Sequence, residues 1–121
     1  MCYNCKNRAL KKELKVKRLY HIYFYVPSDF IEVVKEAMFE AGAGKVGEYD
    51  KCSWQTLGKG QFRALDKANP FLGEKGVLEE VVEYKVEMVC AKEYLEDVIK
   101  SLKKSHPYEE VAYGVVELFS I

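Results

Sequence analysis

No apolar run in these 121 residues approaches the roughly 20 needed to cross a bilayer. The N-terminus is basic and polar where an export signal needs an apolar stretch. The expected compartment is therefore the cytoplasm, with no membrane partner. Histidine is nearly missing, with only His21 and His106 far apart in the chain. Repeats and low-complexity segments are also missing, and formal net charge is zero. With 49% hydrophobic and 31% charged residues the composition is globular, not disordered. A chain of this length makes one domain and buries roughly two thirds of its unfolded surface.

The zero net charge conceals an asymmetry. Seven of the 19 basic residues, but only Glu13 of the 19 acidic ones, lie in residues 1 to 18, leaving twelve basic and eighteen acidic residues in 19 to 121. The chain thus divides into a basic extension, 1–18, and an acidic domain, 19–121. A basic arm can hold phosphate backbones through counterion release. The acidic body repels them, which weighs against nucleic acid as a partner, and the arm can equally lie across its own body or a neighbour's.

Four cysteines occur, Cys2, Cys5, Cys52 and Cys90, and in a chain with no export signal they are expected reduced. Cys2 and Cys5 form Cys-x-x-Cys, half of a zinc site, but no second pair of matching spacing follows. Cys52 and Cys90 each fall in an alternating apolar stretch and read as small buried hydrophobes.

Periodicity orders the rest. Leu19 to Val26, LYHIYFYV, is aromatic and β-branched and ends at Pro27, so it reads as a strand. Ser28 then offers a helix N-cap, Ile31, Val34, Met38 and Ala41 recur at helical spacing, and Gly42 supplies a stop. Residues 52 to 64 alternate on both sides of Gly58-Lys59-Gly60 and read as a long hairpin with those glycines at its tip. Asp66 to Gly76 reads as a loop. Glu80 to Val89 alternates as a strand buried on one face, Leu95, Val98, Ile99 and Leu102 mark a second helix stopped before Pro107, and Tyr113 to Phe119 is a last strand. The order β-α-β-β-α-β predicts an α+β, ferredoxin-like fold: an antiparallel sheet with both helices on one face and an extended β2–β3 region. Aromatics along the strands suggest that the other face is apolar and covered, most simply by another subunit.

Four segments, YDKCSWQTLGKGQFR, NPFLGEKG, VVEYKVEMV and HPYEEVAYGV, resemble in order and spacing the domain inserted in the middle of YqfO-type proteins, also called Nif-three-like or dinuclear metal centre proteins. That domain is similar in shape to PII signalling proteins and to CutA, which carries a His-Pro-Tyr-Glu-like segment before its last strand. The resemblance covers residues 19 to 121 and implies a homotrimer. Family members also carry two flanking halves whose His, Asp and Glu side chains hold a metal pair. With only two histidines here, no dinuclear site is carried over to any residue, and the hydrolase activity does not transfer. The basic extension has no counterpart in the resemblance.

Several chemistries remain to be weighed. A nucleophilic Cys52 needs a lowered pKa and a base, which only His106 could supply. Gly58-Lys59-Gly60 lacks the length and the following helix of a phosphate loop, though an anion between subunits near Lys59 and Arg63 is a PII-like alternative. His106, Glu109 and Glu110, with Cys52, are candidate ligands for a divalent metal, copper or zinc. The alternative reading makes that segment only the turn into the last strand. Trp54, Phe62, Phe71 and Tyr108 are expected at a subunit interface. The resulting expectation is a non-catalytic, trimeric PII/CutA-like module that binds a metal ion, a small anion or a protein partner. Its competitors are a component of a split YqfO-type hydrolase and a CutA-like copper-binding protein.

Overall fold

A computed structural model of the chain describes residues 18–119. Strand β1 (Leu19–Pro27) leads through a 3-10 turn at Ser28–Phe30 into helix α1 (Ile31–Glu40). Then follow β2 (Trp54–Arg63), β3 (Leu78–Ala91), α2 (Lys92–Ser105) and β4 (Tyr113–Glu117). The four strands form one antiparallel sheet in the order β2-β3-β1-β4, the ferredoxin-like arrangement. Among the described residues no helix is long and apolar enough to cross a membrane. The basic extension up to residue 17, with Cys2 and Cys5, lies outside the described residues.

Alternation decides which face meets the helices. In β1 the side chains of Ile22, Phe24 and Val26 are fully buried, and their cross-strand partners Met88, Val86 and Tyr84 lie on the same face. Onto these, α1 presents Ile31, Val34 and Met38, and α2 presents Val98 and Leu102. Helical spacing places those residues on one stripe, so a single layer of helix closes the core. Gly42 ends α1 at φ +120°, and a Cβ there would overlap the Tyr94 ring of α2. The stop is therefore set by packing as well as by backbone freedom. Ser28 makes no side-chain cap; it opens the 3-10 turn, with Asp29 in that turn.

The hairpin expected within residues 52 to 64 does not form. Trp54–Arg63 is one unbroken strand, and neither Gly58 nor Gly60 is among the glycines with positive φ. Ten consecutive residues pair with β3, from Trp54 opposite Glu87 to Arg63 opposite Leu78, so the turn is the long loop 64–77 instead. Gly60 serves a different purpose: a Cβ on it would collide with the Glu83 carboxylate, which lies across the strand at that point.

The sheet is staggered. β1 pairs with β3 only as far as Glu83, opposite Pro27. Beyond it, Leu78–Val82 pair with Lys59–Arg63 alone, as a two-stranded ribbon. Leu78 and Val82 are there 60% and 54% exposed, although they alternate in phase with buried Val86 and Met88.

Candidate functional site

The α2–β4 turn shows why His106 is where it is. Pro107 cannot continue a helix with a paired N–H, and His106 leaves α2 with an extended backbone, φ −78° and ψ 140°. Its side chain is buried, 6% exposed, and runs under the end of β1. Nε2 lies 2.7 Å from the Tyr25 carbonyl oxygen, which can only accept, so Nε2 carries the hydrogen and donates. The Tyr108 backbone N–H donates to Nδ1 at 3.1 Å. Both ring nitrogens are thus used by backbone, and burial pushes the imidazole pKa below its ordinary value. His106 is a neutral structural pin. A metal at either nitrogen must first displace a backbone partner.

That pin aims Tyr108 at the loop between β2 and β3. The Tyr108 ring lies 4.9 Å from His106 and 6.4 Å from each of Phe62 and Phe71, and Phe71 meets Phe30 edge-on at 5.6 Å. The Asn69 N–H donates to Glu109 Oε1 at 2.7 Å. Two motifs forty residues apart, Asn69-Pro70-Phe71 and His106-Pro107-Tyr108-Glu109, therefore make one structure. Between them lies a cavity of about 430 Å³, lined among others by Tyr25, Phe62, Leu65, Phe71, Glu83 and Tyr108.

Its polar groups are unusual. Glu83 Oε2 and the Tyr108 hydroxyl are buried without a hydrogen-bond partner among the described residues. Most buried polar atoms are paired. Burial raises the pKa of the Glu83 carboxyl. Burial, and then the charge of Glu83, raise that of the Tyr108 phenol, which places the two groups within electrostatic reach. Gln61, Arg63, Glu109 and Glu110 complete the polar lining.

A second cavity, of about 380 Å³, follows the helix-free face of the sheet. Bare Gly58 and Gly60 are bordered there by Tyr25, Thr56, Lys85 and Glu87. Nearby on that face His21 Nε2 and Glu87 Oε1 are 3.0 Å apart, and Lys85 Nζ stands 5.1 Å from the Tyr23 ring centre. Tyr23 also lies over Gly114 of β4, where a Cβ would overlap its ring. The face expected to be apolar is a mixture of tyrosines and charges.

The residues singled out from sequence are distributed unevenly. Phe62, Phe71, Tyr108, Glu109, Glu110 and Arg63 surround the first cavity, with His106 behind it. Lys59 lines the second cavity and not the first, so Lys59 and Arg63 are not brought into one pocket. Trp54 stands at the opposite end of β2, 55% exposed, with its Nε1–H donating to Thr56 Oγ1 at 3.1 Å. Cys52 is not in a strand and not fully buried; its backbone N–H donates to the Gly44 carbonyl and its thiol lies 3.7 Å from the Asp50 carbonyl. Cys90, by contrast, is buried as expected, and burial pushes its thiol up to about 11. Among the described residues no group of three or more His, Cys, Asp or Glu is placed to hold a metal ion. Sequence reasoning missed Glu83 and Tyr25. In an alternating strand Glu83 reads as an ordinary solvent residue, and only its place opposite Gly58 and diagonal to Gly60 hints otherwise.

Comparison with known proteins supports this architecture. No family model matches the chain. The Bacillus subtilis protein named GTP cyclohydrolase 1 type 2 homolog is 48% identical over 91 residues, which are 75% of this chain and 24% of that protein. A Bacillus cereus protein related to NIF3 superposes with a TM-score of 0.73 at 33% identity, over 88% of this chain and 27% of that one. The periplasmic divalent cation tolerance protein CutA of Archaeoglobus fulgidus matches over 81% of both chains, with a TM-score of 0.58 and 18% identity, a likeness of fold alone. The chain spans about a quarter of the length of the curated relatives it matches. It is a relative of one CutA-shaped segment of the NIF3-related, YqfO-type proteins.

Proposed function

We propose that this chain is a non-catalytic, self-associating binding module, assembled as a homotrimer. The observation that carries this reading is the ribbon of Lys59–Arg63 and Leu78–Val82. A two-stranded ribbon is marginal alone in water, and this one has Leu78 and Val82 exposed on one side. The helix-free face next to it holds a cavity floored by two glycines. These lie on the two sides of the ribbon, so copies packed against both sides would cover them together, and exposed apolar patches of this kind mark interfaces. The cytoplasm is the compartment consistent with its thiols.

The non-catalytic part of the proposal rests on the groups that a reaction would need. His106 has both nitrogens engaged by backbone. The Cys52 thiol meets the Asp50 backbone carbonyl, which cannot act as its base. The activity implied by the names of the full-length relatives belongs to proteins four times longer. As ligand, a divalent cation is suggested by the name of the CutA protein, with copper or zinc as the candidates, and Glu109 and Glu110 are the exposed carboxylates that could receive it.

Native mass spectrometry of protein purified without a metal-affinity tag tests assembly and retained ligand together. A mass three times that of the chain is expected. Trp54→Ala is expected to shift it toward the monomer, because Trp54 is exposed on the same helix-free face. A wild-type monomer overturns the proposal.

A further inference from the structure

The cavity between the β2–β3 loop and the α2–β4 turn has the charge and shape of a ligand site. We propose that it binds a small organic ammonium ion carried on an aromatic or aliphatic body, an inference that rests on the reading of this chain as a binding module. At about 430 Å³ it falls within the usual range of small-molecule pockets. Its walls, Tyr25, Phe62, Leu65 and Phe71, fit an apolar body.

The polar groups select the head group. Glu83 Oε2 is an acceptor without a donor, and the Tyr108 hydroxyl, also buried without a partner, belongs to the lining of the same cavity. An ammonium group offers three donors and no acceptor, so one such group can satisfy both oxygens. A carboxylate or phosphate would instead face Glu83 with like charge. Around the rim Glu109 and Glu110 join Glu83 against the single guanidinium of Arg63, so the lining is net acidic. Glu109 is already held by the Asn69 N–H and shapes the wall. Burial disfavours the charged form of Glu83 in the empty site, and a cation bound beside it would restore that form.

Gly60 is part of the same arrangement. Without a side chain it lets the Glu83 carboxylate lie across β2 and reach the cavity; any Cβ there would meet the carboxylate.

Isothermal titration of the full chain with phenethylamine, against 2-phenylethanol and 3-phenylpropionate, separates head-group chemistry from apolar fit. The amine is expected to bind at least about tenfold more tightly than the alcohol, the scale of one charge-assisted hydrogen bond. Glu83→Gln is expected to bring the amine down to the alcohol's level. Tyr108→Phe, which keeps ring and carboxylate, should weaken it by about three- to tenfold. Equal affinity for amine and alcohol, a preference for the acid, or no binding of the amine at several millimolar overturns the inference. Circular dichroism checks each variant; if Glu83→Gln does not fold, Tyr108→Phe and the three probes still decide. Native mass of the same samples keeps the two proposals apart. A trimer that takes no amine sinks the amine site and leaves self-association standing. A monomer that binds the amine does the reverse.

Discussion

The two ends of β3 carry the same alternation and meet different fates. Toward Ala91 the strand pairs with β1 under the helices, and Val86, Met88 and Cys90 are buried. Toward Leu78 it pairs only with β2, and residues of the same phase, Leu78 and Val82, stand in solvent. Identical patterning thus yields a core where a helix reaches and an adhesive surface where none does. Hydrophobic alternation specifies a face to be covered; it does not say what covers it.

That contrast breaks most sharply at its covered end. Phe24→Ala removes a fully buried ring and is expected to cost about 3–5 kcal/mol, enough to unfold much of the protein. Urea denaturation measures it, and a loss below 1 kcal/mol would mean that the helices do not anchor this half. Gly60→Ala comes next. Its methyl group would meet the Glu83 carboxylate, the end of a flexible side chain that can turn aside, and a loss of about 1 kcal/mol or less is expected. In a Glu83→Ala background the same change should become neutral or mildly stabilising, because alanine otherwise suits a strand better than glycine. If the two losses simply add, the close approach is not what Gly60 is for.

At the uncovered end, Leu78→Asp with Val82→Asp should alter monomer stability by no more than about 0.5 kcal/mol per site while abolishing the trimer. Light scattering after size exclusion reads the mass, and an intact trimer would move the interface elsewhere on the molecule.

Two titratable groups shifted by burial, Glu83 and His106, make the stability depend on pH. Burial raises the Glu83 pKa from an ordinary 4.5. The folded state then holds that proton more tightly than the unfolded chain, so the stability it supplies is complete below 4.5 and is lost as pH rises through the folded value. His106 is shifted down from 6.5. Its contribution is complete above 6.5 and is lost as pH falls through the folded value. Urea midpoints from pH 3.5 to 8 should therefore lose, in Glu83→Gln, the decline that Glu83 imposes as pH climbs above 4.5, leaving the rise that His106 imposes. An unchanged profile would show that Glu83 is solvated. The smallest expected effect is at the thiols: Cys90, buried and pushed up to about 11, should stay unlabelled by a thiol reagent at neutral pH while the fold is intact.

Much of the fold was legible because its signals are local. Ile31, Val34 and Met38 at helical spacing, Pro27 and Pro107 as punctuation, and the in-phase residues of β1 and β3 placed four strands and two helices in the right order. The site was less legible. His106 looks like a ligand in one dimension, since nothing nearby reveals that the Tyr25 carbonyl, 81 residues away, occupies its Nε2. Glu83 looks like a surface carboxylate until β2 is laid beside it.

Spacing and side-chain chemistry along the chain were sufficient to dictate element order, the buried stripe of each helix and the ferredoxin-like class, because each depends on neighbours within a few residues. Whether Gly58-Lys59-Gly60 turns or runs straight was decided only in three dimensions. A Gly-rich triplet tolerates either path, and the choice belongs to the ten-residue ladder with β3. The same holds for the cavity. Its walls come from β1, β2, β3 and two loops, and its unpaired oxygens exist only because packing those parts together excludes the water that would otherwise have solvated them.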